Sequence, residues 1–295
     1  MTTQVKGNAE QAAFWSGEMG ETWVANMAFI ENMLAPFRDA IIDHVAQSGK
    51  RAVLDLGCGN GSVALELSKQ MAPDATVVGI DISEPMIRNA RAFAVEQGGS
   101  VQFIHGDAAI HDFGEQRFDS LISRFGCMFF ADPVGAFAHL RGFMVDHSDL
   151  TLVAWRDVAM NELFAAGIQA ARDAFPLASL PPGPGPGAFS FADQDWVAST
   201  LLSAGWCDAS LETLDVACSF PESGLRIFIE ELAPTGLQSA SLDTADRARL
   251  SRVLHEAYLP FLSNGLVRFQ ARAWLIRANG GVTSGQRKRS EVAHP

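Results

Sequence analysis

The residues best suited to chemistry lie in the stretch Asp55-Leu56-Gly57-Cys58-Gly59-Asn60-Gly61. Its alternating glycines allow a tight turn and let a ligand come close to the main chain. A short apolar run leads in from Arg51, and a helix-forming run follows. Asp55 stands just before the first glycine, where a carboxylate repels a pyrophosphate and can hold a cation. Dinucleotide enzymes use a similar turn, but with the spacing GxGxxG rather than GxGxG. A second acidic residue, Asp81, closes the next apolar run in Gly79-Ile80-Asp81-Ile82-Ser83, where a carboxylate can grip ribose hydroxyls. An apolar cluster, Phe125, Met128, Phe129 and Phe130, follows a later strand and is a candidate substrate wall, with Trp155 and Arg156 ending the strand after it.

The elements that must position these residues follow from periodicity. Residues 9–47 read as helical and amphipathic, with Trp23, Met27, Ile30 and Leu34 at helical spacing and a break near Pro36. Strand 51–56 leads into the glycine cluster. Helix 62–71, strand 76–81, helix 84–97 and strand 101–105 follow, then strand 118–124, helix 132–145 and strand 149–155. Repeated strand-then-helix units imply parallel strands with right-handed crossovers and helices on both faces. After Trp155 the rhythm fails. Pro181-Pro182-Gly183-Pro184-Gly185-Pro186-Gly187 excludes a helix or a central strand and predicts a loop over the ligand edge. Helix 193–204, a strand near 206–218, a mixed helical region 221–262 and a strand 268–277 complete the pattern, as additions to a sheet already buried on both faces.

Composition bounds the function. With 48% hydrophobic residues the chain can bury a large core, yet no apolar run is long enough to cross a bilayer, and the N-terminus lacks a secretory signal. A cytoplasmic protein is expected. The net charge of −12 and the lack of a basic face, apart from Arg287-Lys288-Arg289 in a polar tail, argue against nucleic acid. Cys58, Cys127, Cys207 and Cys218 are widely spaced, which predicts reduced thiols and no metal. The expected organisation is a helical cap over 1–50, a ligand-binding core over 51–155, a lid insertion over 156–205, completion of the sheet over 206–280 and a tail over 281–295.

Val53 to Gly61 resembles motif I of the class I S-adenosylmethionine-dependent methyltransferases, and Gly79 to Ser83 resembles their ribose-binding motif. The likeness continues through Phe103-Ile104-His105-Gly106-Asp107-Ala108 and Phe118 to Pro133. Phe14 to Trp23 resembles the opening segment of the small-molecule, ubiquinone-biosynthesis-like branch. The resemblance implies a Rossmann-like, doubly wound α/β fold with a mostly parallel seven-stranded sheet, and S-adenosylmethionine as cofactor. It implies that Asp55 and the backbone of Gly57, Cys58 and Gly59 hold the methionine end, and that Asp81 holds the ribose. By the same likeness Ile82 and Met86 sandwich the adenine, Asp107 and Ala108 bond its edge, Ser123 and Arg124 line the floor near the sulfonium, and Trp15 and Trp23 close the site. Phe125, Met128, Phe129, Trp155 and Arg156 are the substrate candidates. One departure stands out. Where the family carries Pro-Gly-Gly before its fifth strand, this chain has Met144-Val145-Asp146-His147-Ser148-Asp149.

The expected partner is a small, largely apolar acceptor, with a small peptide as an alternative; oligomeric state is left open. His105, His111, His139 and His147 all sit on strands, connections or an outward helix, so no general base is identified. A sulfonium is already a strong alkyl donor, and alignment with exclusion of water can drive the transfer. Two competing functions remain: a non-catalytic cofactor-binding protein of the same fold, and an NAD-dependent oxidoreductase.

Overall fold

A computed structural model of the chain describes residues 8–175, 186–233 and 242–281. Where one interrupted amphipathic segment is expected, four short helices form: α1 (Ala9–Ser16), α2 (Glu18–Ala25), α3 (Met27–Met33) and α4 (Ala35–Ala46). Gly17, Asn26 and Leu34 take non-helical torsions at the joints, so the chain can bend around the sheet's end. In α4, Phe37, Ile41 and Val45 recur at i, i+4 and are all buried, so this helix is held by its apolar face.

The core alternates β1 (Ala52–Leu56), α5 (Ser62–Gln70), β2 (Thr76–Asp81), α6 (Glu84–Gln97), β3 (Val101–His105), β4 (Phe118–Arg124), α7 (Pro133–Arg141) and β5 (Met144–Trp155). The later part adds α8 (Glu162–Ala174), α9 (Gln194–Ser203), β6 (Cys207–Pro221), a helix over Thr244–Tyr258, the two-residue β7 (Leu262–Ser263) and β8 (Leu266–Asn279). Strands lie in the order β3-β2-β1-β4-β5-β8-β6, with β7 paired to β8. The five core strands run parallel, and β8 is antiparallel to both β5 and β6. The chain order reverses between β1 and β4. In a doubly wound sheet, the crevice at the carboxyl ends of such strands is where ligands bind. No helix among the described residues is long and apolar enough to cross a membrane.

Two local expectations are corrected. Helix α7 stops at Arg141, and the stretch that replaces the family's turn is already strand. The register between β4 and β5 shifts between Phe118 and Ser120, His147 takes φ 55°, and its N–H bonds Gly281 O at 2.9 Å. A bulge therefore does the work of the missing turn. Strand β6 joins the sheet as expected but as an edge strand, so its residues from Cys207 to Ala217, instead of being covered on both faces, are exposed or half-buried.

Candidate functional site

A cavity of about 1170 Å³ opens at the carboxyl ends of β1, β2, β4 and β5, roofed by the N-terminal helices and residues 186–196. Sites for one drug-sized ligand span roughly 300–1,000 Å³, so this one has room for a cofactor and an acceptor together.

Its polar side is built by the turn after β1. Gly57 has φ 64°, and a Cβ added there would lie 2.7 Å from Gly126 Cα, so two glycines let the β1 and β4 loops touch. The N–H groups of this turn are taken up internally. Those of Gly57 and Cys58 donate to Ile80 O at 2.9 and 3.1 Å, and that of Gly59 donates to Asp81 Oδ2 at 2.8 Å. Asp81 also accepts from Ser83 N at 2.8 Å. Gly57, Cys58 and Gly59 thus line the cavity as expected, with these three N–H groups bonded within the protein.

Asp55 is fully buried at the tip of β1, and its Oδ2 has no hydrogen-bond partner. Burial pushes its carboxyl up to about 7; the Arg124 guanidinium opposes the rise, while Asp81 and Glu31 add to it. Burial likewise raises Asp81, against the hydrogen bonds from Ser83 and Gly59. A buried carboxylate with one unpartnered oxygen, beside a turn whose Gly57, Cys58 and Gly59 N–H groups are already bonded, suits a cation better than a pyrophosphate. The donor set fits the ammonium-bearing end of S-adenosylmethionine.

Trp15, Trp23, Ile82, Met86, Asp107 and Ala108 all line this side. Trp15 meets Trp23 and Phe129 edge-to-face at 5.7 and 5.2 Å, and Ser83 Oγ donates to Trp15 O at 2.6 Å, fixing the N-terminal helices over the ligand edge. Asp107 already has protein partners. Asn8 N donates to its Oδ2 and Asn8 Nδ2 to its Oδ1, both at 2.8 Å, and Ala109 N adds a bond at 3.0 Å. The Oδ2 of Asp107 keeps capacity for one further donor.

Two expected residues fall elsewhere. Ser123 is buried outside the cavity lining, where its Oγ donates to Leu56 O at 2.7 Å and accepts from Cys127 N at 3.1 Å, tying β4 to β1. Arg156 also lies off the cavity. Side chains alternate across a strand, so the residue after the inward Trp155 points to the other face. There its guanidinium pairs with Asp215 at 3.1 Å and lies 4.6 Å over the Trp274 ring. Arg124 does line the cavity, but both its terminal nitrogens are held by Glu31, at 2.9 and 2.6 Å. Burial alone would raise the Glu31 carboxyl, yet Arg124's charge and hydrogen bonds, with one from Ser62, bring it below its ordinary value.

The opposite side is aromatic. Phe125, Met128, Phe129 and Trp155 line it as expected candidates. Phe125 and Trp155 stack at 4.2 Å and 13°, and Phe125 holds φ 65°, a left-handed torsion that costs a bulky residue about 1–3 kcal/mol. Sequence reasoning missed Asn8 and Glu31, and also Phe164, Phe189 and Phe228. The apolar face of α8 was a readable signal for Phe164; nothing local marks the others. Pro186 and Gly187 line the cavity; the rest of the proline-glycine run, 181–185, lies outside the described residues. Among the described residues no histidine lines the cavity and no cluster could hold a metal.

The parallel sheet with its reversal at a glycine turn and acidic strand tips defines a Rossmann-like, doubly wound fold. The comparisons narrow it further. A family model described as a methyltransferase domain matches residues 53–144. Demethylmenaquinone methyltransferase of Thermus thermophilus is 36% identical over 104 residues, 35% of this chain and 47% of that protein. Nocamycin O-methyltransferase of Saccharothrix syringae is 41% identical over 81 residues, 27% of this chain and 29% of that one. The chain thus spans less than half the length of these two relatives. In fold it is similar to magnesium protoporphyrin IX methyltransferase of Synechocystis PCC 6803 with bound SAH, with 18% identity, a TM-score of 0.52, and coverage of 72% of this chain and 93% of that one. Residues 53–144 are thus similar to a methyltransferase domain, on a Rossmann-like fold shared with solved methyltransferases.

Proposed function

We propose that the protein transfers a methyl group from S-adenosylmethionine to an oxygen, nitrogen or carbon nucleophile of a small, largely apolar molecule. One observation carries this reading: a single cavity holds a buried carboxylate with an unpartnered oxygen on one side and a stacked aromatic wall on the other. The bound cofactor supplies an activated methyl group. The chain's own residues hold and align. Asp55 receives the cationic end, Asp81 the ribose and Asp107 the adenine edge, with Ile82 and Met86 against the base. Trp15 and Trp23 close that side, while Phe125, Met128, Phe129 and Trp155 place the acceptor and exclude water. Such alignment can supply roughly 7–11 kcal/mol of a barrier.

Among the described residues no histidine lines the cavity, which favours transfer driven by proximity. Single His→Ala variants should retain turnover, and a loss beyond about a thousandfold in one of them, with cofactor binding intact, rejects that mechanism. An oxidoreductase reading is disfavoured by Asp55, and a non-catalytic reading predicts heat with S-adenosylmethionine but no product. Calorimetry with S-adenosylmethionine and with NAD, then mass spectrometry for a gain of CH2, separates the three. The carboxylate-lined cavity and the net charge of −12 speak against nucleic acid as acceptor. Residues 156–205 act as the lid in this reading, supported by Ala188, Phe189 and Phe191 in the cavity wall. Removing Pro181–Gly187 should harm acceptor turnover far more than cofactor affinity; equal harm to both refutes the lid.

A further inference from the structure

The cavity's charge is lopsided. Glu31, Asp55, Asp81, Asp107, Asp157 and Asp193 line it, against one cation among the described lining residues, Arg124. That guanidinium is already gripped by both oxygens of Glu31. Arg156, which follows the neighbouring strand β5, is committed to Asp215 and Trp274 on the other face. In sequence, the stretches 176–185 and 234–241 contain no Lys, Arg or His, so neither brings a cation. An acid entering here would lose its hydration and gain no free cationic partner among the described residues.

The wall it would meet is made of rings. Phe164 packs edge-on to Trp155 at 5.4 Å and to Phe189 at 5.7 Å, and lies nearly parallel to Phe228 at 6.2 Å. With the Phe125–Trp155 stack, these give faces and edges against which a flat ring packs in offset or edge-to-face contact. Five separate parts of the chain converge to make this wall.

We propose that the acceptor is an uncharged aromatic molecule and that the cavity rejects acids. The proposal rests on the methyl-transfer reading and names the substrate class of that same site. The acceptor's lone pair forms the new bond to the methyl carbon as the carbon–sulfur bond breaks with its electron pair going to sulfur. The positive charge passes to the methylated acceptor, which releases its proton to water. A neutral acceptor that becomes positive is favoured at every stage by the surrounding carboxylates, whereas an anion is opposed on entry.

The test uses 1-naphthol and 1-naphthoic acid as matched neutral and anionic probes at neutral pH. Each is titrated by calorimetry into the full chain, with and without saturating S-adenosylhomocysteine. Naphthol should bind at least about tenfold more tightly than naphthoate, and lowering the salt should widen the gap. Phe164→Ala should weaken naphthol at least about fivefold while leaving S-adenosylhomocysteine affinity unchanged. Phe189→Leu, a gentler change at a half-buried ring, should do the same to a smaller degree and serves if Phe164→Ala does not fold. Naphthoate binding as tightly as naphthol overturns the proposal, as does a protein that takes up the nucleoside but neither probe. Absence of heat with S-adenosylhomocysteine would sink the donor assignment separately, since the naphthol–naphthoate comparison on the ligand-free chain still stands.

Discussion

The two sides of the cavity are built on opposite plans. The polar side is local: Asp55, the glycine turn and Asp81 sit at the tips of adjacent parallel strands, and nearly every polar group there is bonded within the turn. The aromatic side is assembled from afar, with Phe125 after β4, Trp155 ending β5, Phe164 on α8, Phe189 from the loop that follows and Phe228 beyond β6. A site made from one or two turns is rigid and serves one ligand; one collected from many segments can change its shape without disturbing the core. In the methyl-transfer reading, a fixed donor and a variable acceptor call for that division.

The sharpest way to break the contrast is at Asp81. Its carboxylate anchors Gly59 and Ser83 as well as facing the cavity, so Asp81→Ala should cut cofactor affinity by at least about a hundredfold, or about 3 kcal/mol. The melting temperature should also fall, while circular dichroism shows the fold retained. Unchanged affinity would mean the ribose assignment is wrong.

Next comes the pair that joins the two plans. Glu31 belongs to the helical cap and Arg124 to the core, and both side chains are nearly buried. Arg124→Met strands a buried carboxylate and should destabilise the protein by about 3–5 kcal/mol in urea unfolding. The double change with Glu31→Leu should recover part of that loss; strictly additive losses would show that the two residues act separately.

A smaller, pH-dependent effect is expected at Asp55. Its carboxyl titrates near 7 when folded, well above its value in the unfolded chain. Between those values the ligand-free fold holds the extra proton, so its stability falls as pH rises, by up to about 1.4 kcal/mol per unit. A cationic ligand favours the ionised form, so affinity should rise over the same window, level off above about 7, and release a proton detectable by calorimetry in buffers of different ionisation enthalpy. Asp55→Asn should abolish both slopes and weaken binding. A variant that keeps the wild-type pH profile would place the titration elsewhere.

The mildest test concerns Asn8, which clamps Asp107 by two hydrogen bonds and accepts a third from Ala131 N at 2.7 Å. Asn8→Ala should weaken the cofactor by about tenfold or less, the worth of about one hydrogen bond. Turnover at saturating cofactor should be nearly unchanged. A fall in kcat instead would give Asn8 a role in aligning the reaction.

The same contrast explains what could be read from the chain. The strand–turn–helix units carry their signals within a few residues: apolar run, glycines, and a cap such as Ser83, whose side chain accepts from Met86 N. Asp55 and Asp81 were legible for that reason. Ser123 and Arg156 misled because their place in the chain lies beside the ligand edge while their side chains point away from it. Glu31 and Asn8 carry no local mark, since each acquires its partner only when a distant helix folds over the sheet. The bulge that opens β5 was equally hidden, being fixed by pairing with β4 and by a bond to Gly281.

The left-handed torsion of Phe125 links the two compartments mechanically. Its ring is pinned by Trp155, and the next residue, Gly126, presses against Gly57 so closely that neither could carry a side chain. In the methyl-transfer reading, an acceptor that wedged between the two rings would twist this one joint, and the twist would pass to the glycine loop after β1.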